Sequence, residues 1–168
     1  MLVKTLLKEI QFFWDFTDDE CDRLVSTESF FSTYQDGESL ITEGASDESL
    51  FVLIKGEANV IHSSHPDRVI TTLKPGAVVG EVSFLTKRQR ATSIVANGEV
   101  TAFRIDPYSM TQSRMDPATQ TKIKNQLIEI LVQRLETTNK ALVAQKESNL
   151  ALTRALREQV LATQARRS

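Results

Sequence analysis

Apolar positions along the chain change their period twice, and each change predicts a different kind of element from the one before. Leu2, Leu6, Leu7, Ile10 and Phe13 recur at helical spacing, which predicts an amphipathic helix from Leu2 to Trp14. Thr17-Asp18-Asp19-Glu20 puts a hydroxyl at an N-cap position and a carboxylate three residues later. That is a capping box, and it opens a second short helix through about Thr27. Phe12, Phe13, Trp14 and Phe16 cluster there, and the expectation is that they pack this helical cap onto the next segment. From Phe30 to Ile105 short β-branched and aromatic runs alternate with turns at Gly37, Gly44, Gly56, Gly76 and Gly98. Turn signals at intervals of about 8–12 residues predict short antiparallel strands in a sandwich or barrel. Asn97-Gly98 predicts a type I′ hairpin between Ser93–Ala96 and Val100–Ile105, and Pro75-Gly76 a type II turn. Ser63 to Asp67 reads as a loop between strands.

Asp106-Pro107 stops the last strand and starts a helix, with Asp as N-cap and Pro in the first turn, and Met115-Asp116-Pro117 repeats the device. After Pro117 there is no Gly or Pro, and Ala, Leu, Glu, Gln, Lys and Arg dominate. A helix from Pro117 to about Ala165 would be roughly 70 Å long, and it cannot bury its apolar stripe alone. Ile128, Leu135, Leu142, Asn149 and Leu156 fall seven apart, with Leu131, Thr138, Gln145, Leu152 and Gln159 at the paired positions. A lone Asn in an a position is a register and dimer device. The second row is half polar, so the expectation is a modest coiled coil between two parallel copies. The alternative, a helix folded back on its own domain, needs a turn that the sequence does not supply.

The chain has 168 residues, with 20 basic and 22 acidic side chains. Its length suits one domain with a real core, or one domain plus an extension. The near-neutral balance sets up no strong field toward nucleic acid or an anionic membrane. Arg154 to Arg167 leans basic, and reads as a solvated helix face before a DNA-binding arm. Cys21 stands alone, which excludes an internal disulfide, suits a reducing cytoplasm and marks a small buried apolar residue. Lys4 and Lys8 are not followed by a long apolar core, so no signal peptide is expected. No apolar run approaches membrane-spanning length. The expected location is cytoplasmic.

The chemistry concentrates in Gly80-Glu81-Val82-Ser83-Phe84-Leu85, followed by Arg90-Ala91-Thr92. Arg90 is permanently charged and offers a flat fork of donors that fits phosphate oxygens. Glu81, when ionised, accepts hydrogen bonds from hydroxyls. Gly80 permits a strained turn and a close backbone approach, and N–H groups at the start of a short helix, about Val82 to Phe84, would complete an anion nest. A Glu and an Arg nine residues apart also suit two solvated side chains or a surface pair worth little.

This run resembles the phosphate-binding cassette of the cyclic-nucleotide-binding domain family, in which Gly, Glu and Arg fall at the same spacing. Val79, Ser83 and Gln89 depart from its usual aromatic, alanine and proline, and none of the three removes a side-chain contact. Gln35 to Gly44 and Leu50 to Val60 resemble the first half of the family's β-roll, and Lys74-Pro75-Gly76 the turn before the cassette. The resemblance extends from about Glu9 to Arg134. It implies an α+β fold: an antiparallel, jelly-roll-like β-roll with an N-terminal helical cap over residues 1–116, and a long C-terminal dimerisation helix over 117–168. It further implies a sensor for cyclic AMP (cAMP), with cyclic GMP as the second choice, and no catalytic residue, metal or other cofactor. The ligand phosphate would lie on Arg90 and the amides of Gly80, Val82 and Ser83, with Ala91 and Thr92 closing the cassette and Glu81 holding the ribose. Gln133 to Asn139 resembles the dimer helix of the catabolite activator protein family, which implies that Thr138 and Asn139 contact the base. Ala91 favours cyclic AMP, because cyclic-GMP-selective relatives tend to carry Thr there. Closure of the long helix over the base would then shift a population between two states.

Three other readings compete. A DNA-binding regulator of this family needs a helix-turn-helix, and the residues after Asn139 contain no Gly turn between short helices. The expectation is therefore an output domain or effector outside this chain. A cupin-like metal enzyme needs two or three histidines with a carboxylate, and His62 and His65 alone are a weak signal. No nucleophilic triad or Walker-type set is present. The third is a ligand-free dimerisation scaffold, against which Glu81 and Arg90 argue.

Overall fold

A computed structural model describes residues 2–27, 30–111 and 115–165. Arg166 and Arg167, the end of the basic stretch, lie outside the described residues. The chain divides into two compact units, Met1–Asn125 and Gln126–Ser168.

The first unit opens with α1 (Leu2–Glu9), a 3-10 turn (Gln11–Phe13) and α2 (Asp18–Ser26). The single helix expected over Leu2 to Trp14 is broken at Ile10, whose backbone is extended at φ −93 and ψ 123. The break turns Phe12, Phe13 and Phe16 inward and leaves Trp14 65% exposed, so Trp14 is not part of the packing expected of all four aromatics. Phe13 meets Phe103 edge-on at 5.2 Å between ring centroids, which docks the cap on the sheet. The capping box is present: Glu20 N–H donates to Thr17 Oγ1 at 3.3 Å, and Thr17 N–H to Glu20 Oε2 at 2.7 Å. Cys21 is buried, and burial pushes its thiol up.

The sheet comprises β1 (Phe31–Tyr34), β2 (Ser39–Ile41), β3 (Leu50–His62), β4 (His65–Leu73), β5 (Val78–Val79) and β6 (Ser93–Ile105). Its strands pair antiparallel in the order β1-β6-β3-β4, with β2 on β6 and β5 on β3. This is the expected α+β class. β3 and β6 pair from Leu50↔Ile105 to Ile61↔Ser93. Leu53, Ala58, Ile94, Val100 and Ala102 from these two strands form the centre of the core with Leu40 and Ile41.

Two expectations fail in the sheet. Asn97-Gly98 does not turn a hairpin, because both halves of β6 pair with β3 rather than with each other: Ala96 faces Ala58 and Thr101 faces Lys55. The positive φ of 79° at Gly98 serves a bulge where the paired strands bend. Gly56 takes the opposite side of that bend at φ 84°, and a Cβ there would lie 2.2 Å from Glu99 O. The loop expected over Ser63 to Asp67 shrinks to Ser63-Ser64, since β4 already begins at His65, opposite His62. The Pro75-Gly76 turn forms as expected, with Ala77 N–H bonded to Lys74 O at 3.0 Å and φ +91° at Gly76.

After α3 (Glu81–Thr86) and β6 come α4 (Pro107–Thr111) and α5 (Pro117–Ala165). Asp106 and Asp116 cap them by accepting from Ser109 N–H and Thr119 N–H, each at 2.9 Å. The root of α5 is tied to α2 by Lys122 Nζ to Glu20 Oε2 at 2.6 Å and by Arg23 to Asp116 at 3.2 Å. In the second unit α5 continues as helix, and Ile128, Leu135, Leu142, Leu152 and Leu156 are all exposed. No helix among the described residues is long and apolar enough to cross a membrane.

Candidate functional site

β5 pairs with β3 at Phe51↔Val79 and Val52↔Val78, which delivers Gly80 to the sheet beside Ser49. Gly80 is the N-cap of α3 at φ 83°. A Cβ there would sit 2.5 Å from Arg90 Nη1 and 2.6 Å from Ser49 O. Glycine is therefore required twice, by the left-handed backbone and by the close approach. The helix begins at Glu81, so its leading N–H groups fall one residue earlier than the expected Val82 to Phe84. Its first intrahelical bond runs from Phe84 N–H to Gly80 O at 3.0 Å, so the N–H groups of Glu81, Val82 and Ser83 precede that bond.

The backbone of Arg90 is stitched to the loop before β3. Its N–H donates to Ala45 O at 3.0 Å, and its carbonyl accepts from Gly44 N–H at 2.9 Å. The side chain turns inward and is 2% exposed. Nη1 donates to Gly80 O at 3.1 Å, while Nη2 donates to Asp47 Oδ2 at 2.6 Å and to Ser49 O. Arg90 Nε is buried and has no partner among the described residues. An unpaired buried donor costs about 1–3 kcal/mol, so the guanidinium keeps one unmet demand for an acceptor.

Asp47 supplies the counter-charge. Its Oδ1 accepts from Ser49 N–H at 3.2 Å and Ser49 Oγ–H at 2.8 Å, and Arg104 Nη2 lies 3.7 Å away. Burial pushes the Asp47 carboxyl up, but the bonds from Arg90 and Ser49 outweigh it and hold it below the usual carboxylate range.

The structure thus brings Gly80 against Arg90, and buries Glu81 and Ser83 in the helix that follows Gly80. Val82 is 49% exposed, Ala91 is exposed and Thr92 half-buried. Thr138 and Asn139 lie exposed on α5 in the second unit. Sequence reasoning missed Asp47, Ser49 and Arg104. A local signal existed, since Asp-x-Ser before a strand is an Asx-turn pattern, but nothing local says that it faces an arginine 43 residues onward. His62 and His65 face each other across the hairpin. Among the described residues no three His, Cys, Asp or Glu side chains are grouped to hold a metal ion.

An antiparallel β-roll with a buried arginine behind a glycine-opened short helix defines a class, the cyclic-nucleotide-binding fold. Residues 31–113 match the family model described as Cyclic nucleotide-binding domain, and this part of the chain belongs to that family. A crystal structure of a cyclic nucleotide-binding domain from Methylobacillus flagellatus KT is 25% identical, with TM-score 0.64, over 80% of this chain and 77% of that one. A structure of Sp-2Cl-cAMPS bound to PKAR CBD2 shares the fold, with TM-score 0.59 and 23% identity over 83% of this chain and 86% of that one. The mouse cyclic nucleotide-gated channel beta-3 is 25% identical over 114 residues, which span 66% of this chain and only 16% of the channel.

Proposed function

We propose that this chain is a cyclic-nucleotide sensor that takes cyclic AMP in preference to cyclic GMP, and that it is not a catalyst. The observation that carries the reading is the Arg90 guanidinium: buried, held by Gly80 O, Ser49 O and Asp47, and still short of one acceptor at Nε. A ligand phosphate answers that demand with charge-assisted hydrogen bonds. The amides at the start of α3 add donors, and Glu81, one residue past Gly80, accepts from a ribose hydroxyl. A structural neighbour holding a cyclic AMP analogue supports the choice of ligand, as does the small Ala91 next to Arg90.

Thr138 and Asn139 are proposed to read the base, each with an oxygen able to accept from an exocyclic amine. The exposed Ile128, Leu135, Leu142, Leu152 and Leu156 are proposed to pair with the same stripe of a second, parallel copy, with Asn149 setting register. Ligand would then bias that paired helix and, through it, an output domain or effector.

Calorimetric titration with cyclic AMP and cyclic GMP tests the site. Arg90→Lys and Glu81→Ala should each weaken cyclic AMP binding about 100-fold, the equivalent of about 3 kcal/mol. Lys87→Ala and Arg88→Ala, exposed neighbours, should stay within about 3-fold. Equal affinities across the four variants, or no heat from either nucleotide, would remove the assignment. The dimer is tested separately by sedimentation: Leu142→Asp should convert it to monomer, and an unchanged mass would exclude the seam.

A further inference from the structure

The register of the β3–β4 hairpin is uneven. Val60 faces Thr71, Ile61 faces Val69 and His62 faces His65, so Ile70 and the run Pro66, Asp67 and Arg68 have no partners on β3. Extra residues on one strand bow it and re-aim its side chains. Here they open a concavity of about 310 Å³ lined by His62, Ser64, His65, Arg68 and Ile70.

The polar lining is built almost wholly from donors or groups that become donors. Ser64 Oγ lies 2.9 Å from His62 Nδ1 and 2.9 Å from His65 Nδ1. A hydroxyl has a single proton, so it can donate to only one ring and must accept from the other, which carries its proton on Nδ1. Ser64 N–H also donates to His62 Nδ1 at 3.1 Å, which makes His62 the acceptor and His65 the donor. Protonating His62 would end the bond from Ser64 N–H and reverse the one to Ser64 Oγ, which then accepts from both rings and has its own proton free to donate. Arg68 is exposed and makes no hydrogen bond or ion pair among the described residues. The facing acids are few. Glu43, from the loop after β2, is engaged by Ser63 N–H at 2.7 Å and Ser63 Oγ at 2.6 Å, and its Oε1 is 3.8 Å from His62 Nε2. Asp67, adjacent to Arg68 on β4, is exposed.

We infer that the tip of the β3–β4 hairpin is a second anion site, formed by Arg68, His62, His65 and Ser64, which takes a phosphate group and holds it more tightly as the imidazoles gain charge. A fixed fork of guanidinium donors, two switchable imidazoles and a hydroxyl in one concavity match phosphate better than a carboxylate, which has fewer acceptor oxygens to satisfy them. The site does not depend on Arg90 or on the cassette.

The chain contains two histidines, both in this hairpin, so imidazole resonances report on it alone. The full chain with labelled histidine would be titrated with inorganic pyrophosphate at about pH 6 and about pH 8, the range in which imidazole charge changes. Chloride at matched ionic strength is the control. Both Cε1–H resonances should shift saturably, with an apparent Kd about ten-fold weaker at the higher pH. Arg68→Ala should weaken binding about ten-fold, and its exposed position keeps the fold intact. Shifts that do not saturate, that chloride reproduces, that ignore pH or that survive Arg68→Ala would overturn the site. Co-sedimentation with phosphatidic acid vesicles, but not phosphatidylcholine vesicles, would assign the phosphate to a lipid headgroup. Pyrophosphate binding without co-sedimentation would assign it to a soluble ligand.

Discussion

Replacing Gly80 with alanine adds a single methyl group at the point where backbone, arginine and sheet converge. The residue sits at φ 83°, a conformation that costs a non-glycine residue about 1–2 kcal/mol. The new Cβ would lie 2.5 Å from Arg90 Nη1 and 2.6 Å from Ser49 O. Ser49 O is backbone at the start of β3 and cannot swing away, so the guanidinium has to move. Moving it breaks the 3.1 Å bond to Gly80 O and strains the bonds to Asp47 and Ser49 O, for about 2–3 kcal/mol more. The expected loss is about 3–5 kcal/mol, a fall in Tm of about 6–20 °C for a chain of this size. Gly76→Ala is the matched control: φ is +91° and nothing lies within 4 Å of the added Cβ, so it should lose only the conformational part. Urea unfolding of both variants isolates the steric contribution, and calorimetry with cyclic AMP asks whether the surviving fold still binds. Equal losses in the two variants would show that Gly80 is chosen for its backbone angle alone and that the packing of Arg90 tolerates a methyl group.

Gly56→Ala should destabilise the fold by more than about 3 kcal/mol, because its Cβ would meet Glu99 O at 2.2 Å inside the paired bend of β3 and β6; a Tm within a few degrees of the parent would mean the bend can relax. Acid should also destabilise the fold. Burial pushes Glu20 up, but the bonds from Lys122 and Thr17 bring it below its ordinary 4.5. Asp47 falls below its ordinary 3.8 through Arg90 and Ser49 despite burial. Carboxyls lowered in the folded state leave the unfolded chain binding more protons, so their contribution is complete above about pH 5 and is lost as pH drops through the folded values. The urea midpoint should be flat from about pH 5 to 7 and fall below that, and a midpoint that rises on acidification would contradict both assignments.

Elements with a strong local cause were legible in the sequence. The Thr17 capping box, the aspartate caps at 106 and 116, the Pro75-Gly76 turn and the uninterrupted α5 each follow from a few adjacent residues. The failures share a different origin. Asn97-Gly98 has the local chemistry of a hairpin, yet pairing both halves of β6 to β3 satisfies more backbone groups than folding the strand on itself, and the glycine becomes a bulge. Ile10 lies inside a helical apolar pattern, but a continuous helix would put Phe12 and Phe16 on the face opposite Leu7 and Ile10, all four of which are buried, and burying both sets broke the helix. In both cases tertiary pairing overrode a correct local preference.

The site divides along the same line. Gly80, Glu81 and Arg90 lie within eleven residues of one another, and their spacing is a property of one short segment. What sets the behaviour of Arg90 is not in that segment. Asp47 and Ser49 hold its Nη2, and Gly44 and Ala45 hold its backbone, all from a loop more than 40 residues earlier. On the proposed reading, a phosphate arriving at this guanidinium would meet a cation already partly neutralised, and its gain would be the difference between its own hydrogen bonds and those that Asp47 must loosen. That difference predicts that affinity depends on Asp47 as well as Arg90. Asp47→Asn keeps the shape and removes the competing charge, and it should tighten cyclic AMP binding by up to about ten-fold while lowering stability. Weaker binding by Asp47→Asn would mean instead that the carboxylate holds the arginine in the pose that the ligand requires, and that preorganisation outweighs competition for its charge.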